Sequence, residues 1–327
     1  MIYKYFVRVN KKMKKTIYMP SSKNIEKAAK ILEKNGLVAF PTETVYGLGA
    51  SAISDEAVSK IYEIKKRPFH NPLIIHVASL EQAKNYGIFN YHSENLAQKF
   101  WPGPLTLLVN KSIGSRISSI ATSNLQTVAL RVPSHPVALE ILKKYKKPIA
   151  APSANLSGTV SATNASHVFD DFGDNIEMIL DGDKCAHGIE STIVDVRSEN
   201  IQILREGAIT KDQIFKITKL ELDAYDGHKI LSPGQLEKHY SPKARVRINV
   251  KKPNADEYFI TFGEKNNNNH VNTINLSSTG DLQKFAQRLY ACLRDLDSMN
   301  IKKIAISPIP HQGIGRAIND RIKRASK

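Results

Sequence analysis

Only two cysteines occur among 327 residues, Cys185 and Cys292, far apart in the chain. That count excludes a disulfide framework and a cysteine zinc site. The ten histidines are scattered, with no pair at metal-ligand spacing on a helix. A metal is therefore expected to arrive with a phosphate ligand rather than to be held by the protein alone. No apolar run approaches the roughly 18 residues that span a bilayer. The opening stretch "MIYKYFVRVNKKMKKTIYMP" has neither the apolar core nor the small-residue cleavage site of a signal peptide. The expectation is a soluble, cytoplasmic protein with no membrane partner. A P-loop, a Ser-His-Asp order and a paired-carboxylate signature are absent as well, which argues against a protein nucleophile. Acidic residues are short too: 31 against 47 basic ones, a formal charge of +16. Such an excess concentrates polyanions such as nucleotides, nucleic acid or acidic membrane surfaces. A lysine- and asparagine-rich genome would explain much of it equally well.

What remains is ordinary globular composition, 41% hydrophobic and 24% charged, long enough for one large domain and a smaller companion. Ile25, Ala28, Ala29 and Leu32 recur at helical spacing within 22–34, and Asn35-Gly36 stops that helix. "LVAF" follows as a buried strand. Ser54 caps a helix that runs to about Lys65, with Asp55 and Glu56 in its first turn. Strands are expected at 73–78, 105–109, 127–132, 176–181, 191–196 and 201–205, with a helix at 136–146 and another capped by Thr163. Strands and helices mix without strict alternation, so the fold class is α/β with a twisted mixed sheet. Residues 1–20 form an extension, 21–217 the main domain, and the Gly- and Pro-rich 218–243 a linker. Residues 244–327 form a small C-terminal α/β, Rossmann-like domain, with "NNNN" at 266–269 as a polar loop tip.

The chemistry is concentrated at strand ends. "FPTETVYGLGA", 40–50, places small hydroxyls and glycines directly after a strand, as a tight turn or a ligand pocket would require. Its G-x-G-x-x-A resembles a dinucleotide fingerprint, but no helix opens at those glycines to receive a phosphate. "KIYEIKKRPFHNPLIIHV" puts Lys65, Lys66 and Arg67 at a helix end, as dipole caps or as a cationic tip held rigid by Pro68 and Pro72. His76 lies mid-strand, where most histidines are structural. "TVALRVPSHP" sets Arg131 in an apolar strand, so it requires an anionic partner from protein or ligand. "APSANLSGTVSAT", "HGIESTIVDV" and "LREG" repeat the theme with Ser153, Asn155, Ser191 and Arg205. Together these suit a site that cradles phosphates and an amino-acid-like group, working by positioning and charge neutralisation.

Those motifs in that order, with "WPGPLTLLV", "SPGQLEKHYSP" and "GIGRAINDRIKRAS", closely resemble the L-threonylcarbamoyladenylate synthase family in its two-domain form. The resemblance covers nearly the whole chain after residue 22. It implies a YrdC-like catalytic domain with a large concave active site, and a linker that acts as a lid. It also implies a nucleotidyltransferase that joins L-threonine, bicarbonate and ATP, with Mg2+ arriving on the ATP. The product is threonylcarbamoyl-AMP, with pyrophosphate and water released. A partner transferase acting on tRNA, and direct RNA binding, are the implied macromolecular contacts. By motif matching, threonine lies near Thr44, His76, Arg131, Ser153 and Ser191. ATP contacts Lys65, Arg67, Asn71, Thr127, Ala151, Asn155, Thr163, Arg205 and Tyr240, with Lys65 and Arg67 neutralising charge during catalysis. Thr42 is the neighbouring alternative to Thr44, and Ser161 to Thr163. The chain departs from the family pattern at "REG", where a proline often precedes the glycine, and at Gln235, where methionine is frequent. An RNA-binding module without catalysis, or carbamoyl transfer from carbamoyl phosphate, are the competing readings. The first lacks clustered aromatics for stacking bases, and the second goes with additional domains absent from this sequence.

Overall fold

Apolar periodicity sets the elements, and strand pairing then brings the polar strand ends together. The structure, a computed structural model, describes residues 16–224, 230–234, 240–264 and 270–327. Residues 1–15, Gln235 and the asparagine run at 266–269 lie outside that set.

After a short edge strand β1 (Ile17–Tyr18), helix α1 (Ser22–Glu33) buries Ile25, Ala28, Ala29 and Leu32, with Ser21 as its cap. Strand β2 (Val38–Phe40) and β3 (Gly47–Ser51) pair antiparallel, Val38 opposite Gly49, so 41–46 is the connection of a hairpin. Gly49 is required there, because a Cβ would lie 2.6 Å from the Phe40 ring. Helix α2 (Asp55–Lys65) starts at the Ser54 cap as its sequence predicts, and ends in a left-handed Lys66. Next come β4 (Ile74–His76), α3 (Leu80–Lys84), β5 (Gly87–Ile88) and α4 (Tyr91–Phe100). Strands β6 (Leu105–Lys111) and β7 (Thr127–Arg131) precede α5 (Pro136–Tyr145) and β8 (Ile149–Ala150). Helix α6 (Ala165–Phe172) is capped by Asn164, which accepts from the His167 N–H, and not by Thr163. The Asn side chain reaches the N–H of the third helical residue, whereas the Thr163 hydroxyl meets the His167 ring. Strands β9 (Met178–Leu180), β10 (Thr192–Asp195) and β11 (Gln202–Arg205), helix α7 (Lys211–Thr218) and strand β12 (Asp223–Ala224) complete the first unit.

These twelve strands form one sheet, in the order β1-β9-β2-β3-β8-β4-β7-β6-β10-β11-β12, with β5 on β6. Parallel and antiparallel pairs mix: β4 runs parallel to β7, while β8 runs antiparallel to β4. A mixed sheet is what the irregular alternation of elements implied. Helices α1 and α5 pack on one side over Val38, Phe40 and Met178.

The second unit comprises β13 (Arg245–Arg247), β14 (Tyr258–Phe262), β15 (Thr273–Ser277), α8 (Leu282–Ser298), β16 (Lys303–Ile306) and α9 (Gly315–Ala325). Its four strands, ordered β13-β16-β14-β15, are all parallel. Helix α8 buries Phe285, Ala286, Leu289, Leu293 and Leu296, the face its periodicity marks. This core is not confined to its own unit, since Val45, Val160, Ile189 and Tyr240 belong to it. Arg294 of α8 reinforces the junction with two bonds to Asp171 and one each to the carbonyls of Val160 and His167.

Candidate active site

The β2–β3 connection, the ends of β4, β7, β8 and β11, and the 188–191 segment converge on one cleft. It holds about 520 Å³ of empty space, its open mouth included. Thr44, Arg67, His76, Arg131, Ala151, Ser153, Ser191, Arg205 and Tyr240 line it. The question raised by "FPTETVYGLGA" thus has a double answer: the stretch is a hairpin turn whose turn residues wall a cavity. Within it Thr42 is a staple, donating to the Val45 carbonyl at 2.6 Å and accepting from the N–H groups of Thr44 and Val45. Thr44 instead presents its hydroxyl to Arg131.

Arg131 finds its anionic partner within the protein. Its Nη2 donates to Glu43 Oε1 at 2.6 Å, Nη1 to the Thr44 hydroxyl at 3.0 Å and Nε to the Gly103 carbonyl at 3.3 Å. One N–H on each terminal nitrogen remains for a ligand. Glu43 also accepts from the Ser134 N–H. Burial pushes its carboxyl up, but Arg131 and these bonds outweigh that and hold it below its ordinary range.

Three further cations face or back the cleft with no carboxylate in salt-bridge range among the described residues. Lys65 is buried, and its Nζ donates to the carbonyls of Ser153, at 2.6 Å, and Asn155. Burial first, and then Arg67, pushes the ammonium pKa well below its ordinary value. Arg67 donates to the carbonyls of Asn71 and Pro72, and burial lowers it to about 10, so it stays charged at neutral pH. Arg205 donates through Nε and Nη2 to the Ser191 carbonyl, and through Nη2 to the Ser191 hydroxyl at 3.0 Å. The linker passes directly above, since a Cβ on Gly234 would lie 2.7 Å from Arg205 Cδ.

Buried polar atoms point the same way. His76 Nδ1, both side-chain polar atoms of Asn71, Thr127 Oγ1 and Asn155 Oδ1 have no hydrogen-bond partner. Unpaired buried groups are rare in folded proteins, and a cluster of them next to cations without carboxylate partners marks a ligand site. His76 is neutral, because burial and then Arg131 push its pKa to about 3. Lys65, Asn71, Thr127 and Asn155 stand behind the cleft wall rather than in it. Thr163 turns its hydroxyl to His167, while Ser161 donates to Glu190 at 2.7 Å.

The sequence reading left Glu43, Thr106, Glu190, Tyr290 and Arg321 without a role. Glu43 and Glu190 lie inside motifs that attracted attention for their neighbours. Thr106 sits in "WPGPLTLLV" and reaches the Ser191 hydroxyl at 2.8 Å. Among the described residues no cluster of three or more His, Cys, Asp or Glu could hold a metal, and no helix is long and apolar enough to cross a membrane.

A mixed sheet whose strand ends gather cations and unpaired polar groups around a covered cleft, joined to an all-parallel companion, defines a two-domain small-molecule enzyme. Residues 30–207 match the Sua5/YciO/YrdC family model, described as "Telomere recombination", and residues 209–327 match the "Threonylcarbamoyl-AMP synthase, C-terminal domain". The chain belongs to the Sua5/YrdC/YciO family in its two-domain architecture. It is 38% identical over 321 residues to a threonylcarbamoyl-AMP synthase of Pyrococcus abyssi, covering 91% of this chain and 93% of that one. Identity to the Bacillus subtilis protein of the same name is 37%, with 92% of each chain covered. The crystal structure of P. abyssi Sua5 complexed with L-threonine superposes with a TM-score of 0.86, at 34% identity, over 95% of this chain and 96% of the other.

Proposed function

We propose that this protein is a threonylcarbamoyl-AMP synthase, a nucleotidyltransferase that converts L-threonine, bicarbonate and ATP into L-threonylcarbamoyladenylate, pyrophosphate and water. The observation that carries this reading is the cleft of buried cations lacking carboxylate partners, beside buried polar atoms with no partner at all. Relatives that match over nine-tenths of the chain bear the name of that activity.

In this reading the first catalytic unit spans 21–217, the lid 218–243 and the supporting domain 244–327. Threonine meets Thr44, His76, Arg131, Ser153 and Ser191. The two uncommitted N–H groups of Arg131 take its carboxylate. With its pKa pushed down to about 3, the His76 ring is too weak a base to take a proton from the substrate ammonium. One proton from the threonine ammonium turns bicarbonate into CO2 and water. The free amine then adds to that CO2, losing a second proton to solvent, and the resulting carbamate oxygen attacks the α-phosphorus of ATP. The P–O bond to pyrophosphate breaks, so no protein nucleophile takes part. Lys65, Arg67 and Arg205 stabilise charge on the phosphates, while Asn71, Thr127, Ala151, Asn155, Thr163 and Tyr240 complete the nucleotide site. Glu43 and Glu190 are committed to arginines. Mg2+ is therefore assigned to the phosphates of the incoming ATP as part of the substrate. The lid excludes water from a hydrolysable carbamate and mixed anhydride. A separate transferase would consume the product at an adenosine beside the tRNA anticodon, in the cytoplasm.

The test is pyrophosphate release by purified protein, with threonine and bicarbonate each omitted in turn and the adenylate identified by mass. Release that requires both substrates is the expected result. Release with carbamoyl phosphate alone, or none from protein that binds ATP, would overturn the assignment.

A further inference from the structure

Glu190 sits where the two units meet. Its Oε1 accepts the Ser161 hydroxyl at 2.7 Å, while Oε2 accepts Arg321 Nε at 2.8 Å and the Tyr290 hydroxyl at 3.0 Å. Ser161 belongs to the first unit, but Tyr290 lies on α8 and Arg321 on α9. Two of the three donors to this buried carboxylate therefore come from the second unit. Arg321 is itself fully buried, and donates through Nη1 to Asp320 at 2.5 Å and through Nη2 to the Glu206 carbonyl at 2.8 Å. Its guanidinium lies 5.0 Å from the centre of the Tyr240 ring, and that ring stacks on Tyr290 at 5.7 Å.

Glu190 also lines the cleft, and its peptide continues into Ser191, which Arg205 and Thr106 hold from the other side. The segment has no slack. A Cβ on Gly207 would fall 2.4 Å from the Thr192 nitrogen, and one on Gly188 would fall 2.5 Å from Gln287 Cα in α8. Displacing the Glu190 carboxylate therefore displaces both serines. A buried carboxylate stays in place only while its donors are fixed.

We propose that Arg321 and Tyr290, both from the second unit, are positioning residues for the cleft. By holding Glu190 from behind they fix the Ser161 and Ser191 hydroxyls, and they seat Tyr240 at the cleft wall. The second unit is in this view part of the active-site scaffold as well as an anchor for the linker. The inference rests on the reading of the cleft as the threonine and ATP site.

The experiment uses the full chain and compares Arg321→Lys, Arg321→Met and Tyr290→Phe in threonine-dependent pyrophosphate release, with thermal midpoints measured alongside. Coupling within one hydrogen-bonded network predicts a rise in threonine KM of about 3- to 30-fold, at temperatures where every variant is folded. A second readout separates positioning from plain stability. The charged and titratable groups against Glu190 are Arg205 on β11, Tyr240 of the linker, Tyr290 on α8 and Arg321 on α9, with Asp320 and the Glu206 carbonyl on the far side of Arg321. Burial raises the carboxyl, but Arg321 and Arg205 outweigh it and hold it at about 2. In Arg321→Met, burial loses its main opponent, so activity acquires an acid limb that the unaltered protein lacks. Adding Glu190→Gln to that variant removes the limb. Unchanged threonine KM and an unchanged pH profile in folded variants would overturn the inference, whatever happens to the midpoints. If Arg321→Met does not fold, the KM values of Arg321→Lys and Tyr290→Phe decide alone. No threonine-dependent release from the unaltered protein would instead refute the functional reading. Calorimetric ATP affinity of the same variants then decides the positioning role, and equal affinities or no binding at all would refute it.

Discussion

His76 offers the sharpest quantitative test of the cleft, because its burial has a fixed thermodynamic consequence. The ring is 2% exposed, its Nδ1 has no partner, and its pKa falls from 6.5 to about 3. Above pH 6.5 the imidazole is neutral in both folded and unfolded chains, so the full stability is present there. As pH falls below 6.5 the unfolded chain takes up a proton that the folded chain refuses, and stability is lost progressively toward pH 3. Between pH 6.5 and 5, at about 1.4 kcal/mol per pH unit, the loss from this one residue is about 2 kcal/mol. Other groups titrate in the same window. His135 and His187 are also lowered by burial, so the useful quantity is a difference. Urea unfolding of the unaltered protein and of His76→Gln is measured at pH 7.5, 6.5, 5.5 and 5. The gap between the two should shift by about 2 kcal/mol in favour of the variant as pH falls, and any constant offset from altered packing cancels. A gap that stays flat from pH 7.5 to 5 would show that His76 protonates normally in the fold. The neutral ring assigned to the threonine site would then be wrong.

Glu43→Gln leaves the Arg131 guanidinium buried without its counter-charge and should cost about 3–5 kcal/mol in urea unfolding; a loss under about 1 kcal/mol would mean that solvent or another carboxylate already compensates. Because the carboxyl is held below its ordinary range, that contribution is present above the unfolded value of 4.5 and fades as pH drops through the lower folded value. Lys65→Met should behave in the opposite way. It removes a buried ammonium with no carboxylate partner, so stability is expected to hold or rise, while pyrophosphate release falls about 100-fold or more. Equal loss of stability and activity in that variant would make Lys65 a structural residue. Gly188→Ala places a methyl 2.5 Å from Gln287 Cα at a φ of +71°, and should lower stability by roughly 1–3 kcal/mol. Unaltered thermal unfolding would mean that α8 does not press on the Gly188 backbone.

Periodicity and capping made most of the fold legible. The faces of α1 and α8 were visible as apolar spacing, and the Ser54 cap marked α2 to the residue. Legibility failed where local signals compete. Thr163 and Asn164 are both good caps in sequence, and only the placement of the His167 N–H decides for Asn164. Helix α4 carries a capping box in which Asn90 and Ser93 exchange bonds, yet its mixed composition gave too weak an apolar stripe to mark it. The short strands β1 and β5 owe their existence to pairing with β9 and β6, which no local window contains.

The same distinction separates the parts of the cleft. Arg131 announced itself because an arginine in an apolar strand demands an anion, but the sequence could not say that Glu43, 88 residues away, supplies it. Lys65 and Arg67 were visible as a cationic helix end, and their lack of carboxylates emerged only from the fold. Arg321 gave no signal at all. In "GRAINDRIKRA" it is one of several basic residues on a helix that reads as a solvated surface, whereas in the folded chain its side chain is wholly buried. Burying a guanidinium is unfavourable unless partners surround it, and four do: Glu190, Asp320, the Glu206 carbonyl and the Tyr240 ring. Three of these four lie outside the second unit. The charge is therefore compensated only when both units and the linker come together. That makes Arg321 a residue whose burial depends on the assembly of both units and the linker.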